Sequence, residues 1–145
     1  LKIFFDIDGT VLEQSIGLLR VIDCAKPEKQ DELLQYYISG LRMQINPLDF
    51  ISEGDELGFI TGRSKCLTKY TKLWVKKYFP KAKLFITNVK IGEDNSEFTI
   101  QQIKTKSEVI KREKVDVYFE DNPKVVKGLR LVCPKVRIIQ YGARF

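Results

Sequence analysis

Histidine is missing altogether from this chain of 145 residues, and cysteine is scarce: Cys24, Cys66 and Cys133 are an odd number, widely spaced and without a CxxC pair. The first absence removes the commonest general base, so acid–base work falls to carboxylates or lysine. Together the two exclude a zinc site and a disulfide framework, and they point to a reduced, cytoplasmic setting. Long apolar runs are also lacking. None approaches the length of a membrane span, and the opening strand is too short for the core of a signal peptide. No internal repeat or low-complexity segment breaks the sequence. Leu1 is not preceded by an initiator Met, so a few further residues are expected before it.

What is present is ordinary for a globular protein: 43% hydrophobic and 30% charged residues, in a length that suits one domain. The net charge of +6 would attract phosphorylated substrates or nucleic acid, and is equally compatible with a solvated, lysine-rich surface.

The informative stretch is Leu1 to Leu12, LKIFFDIDGTVL. Ile3, Phe4, Phe5 and Ile7 read as a strand buried on both faces, as in a parallel sheet. Such a strand has no use for carboxylates in its interior, because burying unpaired charge costs several kcal/mol. Asp6 and Asp8 are therefore expected at its carboxyl end, where open parallel sheets keep their ligand crevices. Two acids held close repel, so a cation between them is expected, and Mg²⁺, which takes one or two carboxylates plus phosphate oxygens and water, fits. The competing reading is an Asp-Gly hairpin turn; Val11-Leu12 followed by Glu13-Gln14-Ser15 makes a poor second strand for it. Asp-x-Asp-Gly-Thr should arise by chance at only about 10⁻⁵ per window.

Along the rest of the chain, Leu33, Leu34, Tyr37, Ile38, Leu41 and Ile45 recur at helical spacing and predict a helix over Glu28 to Ile45, after a shorter helix or loop over Ser15 to Cys24. Glu56 to Thr61 is the second strand. Gly62-Arg63-Ser64 then turns into a helix with Leu67, Tyr70, Leu73, Trp74 and Tyr78 inward and Lys65, Lys69, Lys72, Lys76 and Lys77 outward. Lys83 to Val89 is a third strand, with a turn at Gly92 to Ser96 and a hairpin partner at Glu97 to Ile100. A helix over Lys106 to Lys114 precedes a strand at Val115 to Phe119. Asn122-Pro123 opens another helix, and Val136 to Tyr141 is the last strand. Strands alternating with helices predict a doubly wound, Rossmann-like α/β fold with a mainly parallel five-stranded sheet.

A hydrophobic strand ending in Asp-x-Asp-Gly-Thr-Val resembles the first signature of the haloacid dehalogenase (HAD) superfamily, mostly Mg²⁺-dependent phosphatases and phosphotransferases that work through an aspartyl-phosphate. The resemblance runs through Thr61-Gly62-Arg63, a lysine, and Glu120-Asp121. It implies a single HAD-like domain over residues 1–145, with a small cap inserted at about residues 13–50; an ordinary crossover with an extra helix is the competing reading of that insertion. By the resemblance, Asp6 is the nucleophile and Asp8 the general acid, whose backbone carbonyl would also bind metal. Thr61 holds the transferring phosphate, and Lys106 balances Asp6 and the phosphate, with Lys104 as its neighbouring competitor. Asp121 would bind Mg²⁺ directly and Glu120 through water.

Thr10, Gly62 and Arg63 are expected at the substrate; for Arg63 a structural salt bridge is an equal reading, and for Thr61 a plain N-cap competes. The order Thr-Gly-Arg, TKLW, Lys-x-x-x-Ile and acidic pair–Asn-Pro is also similar to the phosphatase half of polynucleotide kinase-phosphatases, which removes terminal 3′-phosphates. The implied activity is a phosphomonoesterase acting on a nucleotide, a polynucleotide end or another small phosphorylated substrate; the lack of long apolar runs predicts no membrane association, and no obligate protein partner is readable in the sequence. A non-catalytic phosphate- or nucleic-acid-binding module and a phosphotransferase are the alternatives.

Overall fold

The computed structural model describes residues 1–13, 29, 32, 42–63, 65–89 and 95–142. Five strands form one sheet: β1 (Lys2–Phe5), β2 (Glu56–Thr61), β3 (Lys83–Ile86), β4 (Val117–Glu120) and β5 (Arg137–Gln140). Their order is β3-β2-β1-β4-β5 and every neighbouring pair is parallel. Helix α1 (Thr68–Tyr78) follows β2 through a 3-10 turn at Lys65–Leu67, α2 (Asn95–Glu113) follows β3, and α3 (Pro123–Val132) follows β4. The expected doubly wound α/β sheet is what the chain forms. No helix among the described residues is long and apolar enough to cross a membrane.

Alternation along the strands assigns the two faces. Ile3, Phe5, Leu57, Phe59 and Phe119 share one core with Trp74, Val75 and Phe79 of the α1 segment. Phe4, Ile60 and Tyr118 share the other with Val109 and Ile110 of α2 and Val125, Val126 and Leu129 of α3. Full burial of Phe4, Phe5 and Phe59 contributes about 1.5–3 kcal/mol each. Gly58 is needed opposite Phe4: a Cβ there would stand 2.5 Å from the Phe4 ring. Asn122 caps α3, accepting from Lys124 N at 3.0 Å, with Pro123 at the first helical position.

Several expectations change. Glu97 to Ile100 is not a strand: α2 already starts at Asn95, and Lys106 lies in its interior instead of at its start. The local Phe-Thr-Ile sequence favours a strand, but Gln102, Lys106, Val109 and Ile110 form a buried stripe at helical spacing, and packing of that stripe prevails over local propensity. In α1, Leu73 and Tyr78 are exposed while Thr71 and Val75 are buried, so the inward face is rotated from the expected one. The predicted helix over Glu28 to Ile45 is helical at Lys29 and Glu32 but not at Arg42 to Ile45. There Leu12 bridges Met43 in antiparallel fashion and Gln44 N donates to Val11 O at 2.7 Å. The rest of that helix, the Ser15 to Cys24 segment and residues 92–94 of the predicted turn lie outside the described residues.

Candidate functional site

β1 is the central strand, with β2 on one side and β4 on the other, so the crevice of the sheet opens at its carboxyl end. Asp6 N donates to Phe119 O at 2.9 Å, which holds Asp6 in register beside β4. By alternation Asp6 shares the face of Phe4 and looks toward α2. An unbroken strand would send Asp8 the same way. Instead the chain coils: Ile7 O accepts from Thr10 N, Val11 N and Leu12 N at 3.3, 3.0 and 2.9 Å. Gly9 takes a φ of 83°, and a Cβ at that position would strike the Asp121 carboxylate. That coil turns Asp8 to the α1 side. The two aspartates therefore stand in separate environments.

On the α2 side, Lys106 Nζ reaches Asp6 Oδ1 at 3.1 Å and Glu120 Oε2 at 2.8 Å, all three buried. Thr10 Oγ1 donates to Asp6 Oδ2 at 3.4 Å. The Tyr118 hydroxyl lies 3.1 Å from Glu120 Oε2 and 3.2 Å from Ile60 O. Oxygens of Asp6, Glu120 and Asp121 come within 4.8 Å of one another. Burial, then the negative charge of Glu120, push the Asp6 carboxyl well above the ordinary aspartate range, and Lys106 offsets this only in part. Burial opposes the charge of the Lys106 ammonium, but Asp6 and Glu120 outweigh it, and its pKa is raised. Lys106 is a fixed cation. Three carboxylates around one ammonium leave surplus negative charge in a dry place, and that suits a divalent cation held by carboxylate oxygens.

On the α1 side, Arg63 grips Asp8 with two parallel bonds, Nε to Oδ2 and Nη2 to Oδ1, both 2.9 Å. Its Nη1 donates to Thr71 Oγ1 at 3.0 Å, and Thr71 in turn donates to Leu67 O at 2.8 Å. The Arg63 side chain is 0% exposed and that of Asp8 17%. Such a fork fixes the direction of a carboxylate as well as its charge. The Arg63 guanidinium is turned to Asp8 and Thr71, away from solvent. The Asp8 carboxylate is turned to Arg63 likewise, so it would not serve as a side-chain metal ligand in this arrangement.

Thr61 ends β2 and is buried; its Oγ1 accepts from Arg63 N at 3.3 Å, which leaves the hydroxyl proton for another acceptor. Gly62 packs so closely on Gln102 that a Cβ would overlap the Gln102 amide. Lys104 is exposed, whereas Lys106 is the lysine at Asp6.

No family model and no curated protein matches the chain. Solved structures do. A chain of the Pnkp1/Rnl/Hen1 RNA repair complex superposes with a TM-score of 0.58 at 18% identity, over 99% of this chain and 43% of that one. A haloacid dehalogenase-like hydrolase from Streptococcus pneumoniae gives 0.53 at 14% identity, over 96% of this chain and 83% of that one. A HAD-superfamily hydrolase of subfamily IA from Geobacter sulfurreducens gives 0.54 at 13%, over 99% and 90%. This is the HAD fold. The chain spans less than half the length of the RNA-repair chain it matches.

Within this HAD fold, four polar residues at or beside the crevice escaped the sequence reading. Gln102 precedes Lys106 by one helical turn on the same buried face, and its Oε1 has no hydrogen-bond partner; the i, i+4 spacing was its signal. Tyr118 shares the strand face of Glu120, a period-two signal. Thr71 had none, because its role depends on the rotation of α1. Gln44 had none either: its Nε2 lies 2.9 and 3.1 Å from Gly9 O and Leu12 O, bracing the coil that carries Asp8.

Proposed function

We propose that this chain is a Mg²⁺-dependent phosphomonoesterase that works through an aspartyl-phosphate on Asp6. The observation that supports it best is the separation of the two aspartates: one beside a fixed ammonium and two more carboxylates, the other clamped by an arginine. The coarser reading, a hydrolase-type HAD scaffold, agrees with the fold neighbours.

Ionised Asp6 Oδ attacks the phosphorus and the bond to the leaving oxygen breaks; Asp8, once it has taken up a proton and freed one oxygen from the Arg63 fork, gives that proton to the leaving oxygen. Water then attacks the phosphoenzyme, Asp8 takes its proton, and inorganic phosphate leaves with Asp6 regenerated. A carboxylate needs no base to become a nucleophile, only ionisation and a partner for the charge it loses. Lys106 supplies that partner and neutralises phosphoryl oxygens, the main requirement of this chemistry. Thr61 donates its free hydroxyl proton to a phosphoryl oxygen, and Thr10 steadies Asp6. Arg63 acts through Asp8, keeping it aimed while it shuttles the proton.

Mg²⁺ would be held by Asp6 and Asp121, the Asp8 carbonyl and, through water, Glu120, and when bound would supply positive charge against the phosphoryl oxygens. The surplus carboxylate charge is what fits it there. The substrate is a phosphomonoester of a nucleotide, a polynucleotide end or a small metabolite. A panel of aryl phosphate, sugar phosphates, nucleotides and 3′- or 5′-phosphorylated oligonucleotides, with Mg²⁺ or with excess chelator, tests the reading. Metal-dependent release of phosphate is expected, and no turnover of any member, or full turnover in chelator, overturns it.

A further inference from the structure

One stretch of the chain carries a single sign of charge. Every charged residue between Glu56 and Glu93 is basic. Surfaces usually intersperse the two signs, so this long interval without a carboxylate is uncommon. The fold gathers much of it on one helix and the turn that leads into it: Lys65 of the 3-10 turn and Lys69, Lys72 and Lys76 of α1 recur at four, three and four residues and are all exposed. The opposite face, with Tyr70, Thr71, Trp74 and Val75, is buried against the sheet. Among the described residues no carboxylate lies within ion-pairing distance of these four lysines. Lys83, by contrast, is neutralised by Glu56 at 2.6 Å.

The stripe also has a direction. Lys65 follows closely on Thr61-Gly62-Arg63 at the rim of the crevice, and its backbone N–H is pinned to Asn88 Oδ1 at 2.7 Å. From there α1 runs back along the sheet, and Lys69 to Lys76 spans about 10 Å at 1.5 Å per residue. A polyanion entering the crevice by its terminal phosphate would meet successive cations along this face. Leu73 and Tyr78 are half exposed on the same helix and give a base an apolar or aromatic surface to lie against. They are too few to insert into a lipid interface, which asks for a broad apolar face.

We propose that the lysine stripe of the α1 segment is a docking surface for the phosphodiester backbone of a single-stranded nucleic acid, whose terminal phosphate lies at Asp6. The inference rests on the phosphatase reading for that last part alone; the docking surface itself stands on charge and placement.

The test compares the wild type with a K65Q/K69Q/K72Q/K76Q variant, whose folding is checked by its melting temperature. None of these lysines touches the reacting groups. With a 3′-phosphorylated single-stranded oligonucleotide, the variant should show KM raised roughly tenfold or more with kcat unchanged, while aryl phosphate hydrolysis stays at the wild-type level. The slope of log affinity against log salt, read by fluorescence anisotropy on the same oligonucleotide without its phosphate, should flatten by about 0.7 per lysine. Equal KM and equal salt slopes in the two proteins overturn the proposal. So does binding of the variant that is lost only on anionic phosphatidylserine vesicles, which would assign the stripe to a membrane surface. Failure of aryl phosphate turnover in the wild type would sink the phosphatase reading, while the anisotropy measurement still decides the docking surface.

Discussion

Asp6 and Asp8 stand two residues apart at the end of one strand, and the fold treats them in opposite ways. Asp6 is placed among Lys106, Glu120 and Asp121, where negative charge exceeds positive and burial lifts its pKa. Asp8 is gripped by one buried arginine, in a two-bond pair. Among the described residues the first neighbourhood carries more carboxylate than ammonium charge, which would suit a bound cation. The second is complete, and its use is to hold a side chain still. Under the proposed function, a strand ending in Asp-x-Asp would separate two tasks, nucleophilic attack and proton transfer, by turning the chain once between them, at Ile7.

Three substitutions probe that difference. Asp6→Asn should reduce phosphate release to the uncatalysed background, because an amide cannot take the phosphoryl group. Its metal-free melting temperature should match or exceed that of the wild type, since the charge removed is one the fold disfavours. Wild-type-like turnover of an aryl phosphate would reject the nucleophile assignment. Asp8→Asn should lower kcat by about 10²–10⁴ on an alkyl phosphate, and less on an aryl phosphate whose leaving group needs no proton. It should also cost about 1–3 kcal/mol of stability, because Arg63 is left buried without its countercharge. A loss below about fivefold on the alkyl ester removes the acid role. The two isosteric changes therefore predict melting shifts of opposite sign or, at the least, of very different size.

Lys106→Met removes the ammonium that pairs with Asp6 and Glu120 and leaves both carboxylates without it. Breaking a buried pair by taking one partner costs about 3–5 kcal/mol. Denaturant unfolding should show that loss in metal-free protein. If Lys106 were an ordinary solvated helix charge, the change would be within about 0.5 kcal/mol.

The sequence made one part of this arrangement readable and hid the other. Asp6, Glu120 and Asp121 are legible because a buried parallel strand can carry acids only at its end, and strand ends meet at one edge. Lys106 came through resemblance, and the helix that bears it was misjudged: Glu97 to Ile100 looks extended by composition, and only the stripe of Gln102, Lys106, Val109 and Ile110 against the sheet explains why it is helical. For Arg63 the sequence leaves a structural salt bridge and a substrate contact equally open, and it names no partner for the former. Thr71 enters the sequence reading only as the first residue of TKLW; it is a partner of Arg63 because α1 is rotated so that Leu73 faces outward. Rotation of a helix about its axis is fixed by packing with distant strands, and periodicity alone leaves it undetermined by a residue either way.

The smallest effect isolates Asp6 by pH. In the folded chain its carboxyl holds its proton well above the ordinary aspartate value, so folding binds a proton that the unfolded chain, with a pKa of about 3.9, releases. Stability from this group is therefore fully present below about pH 3.9 and is lost as pH rises through the higher folded value. Other carboxylates titrate in the same range, so the readout is the difference in melting temperature between Asp6→Asn and wild type, both without metal. That difference should be near constant at acid pH, widen as pH rises above about 4, and level off once folded Asp6 has ionised. Saturating Mg²⁺ should narrow it again, because a ligand of the folded state alone stabilises by about 2.7 kcal/mol at a hundredfold excess over its Kd, and the variant has lost one of the oxygens that would hold it. A difference that is flat from acid to neutral pH would mean that Lys106 fully balances Asp6, and the contrast between the two aspartates would then be one of geometry only.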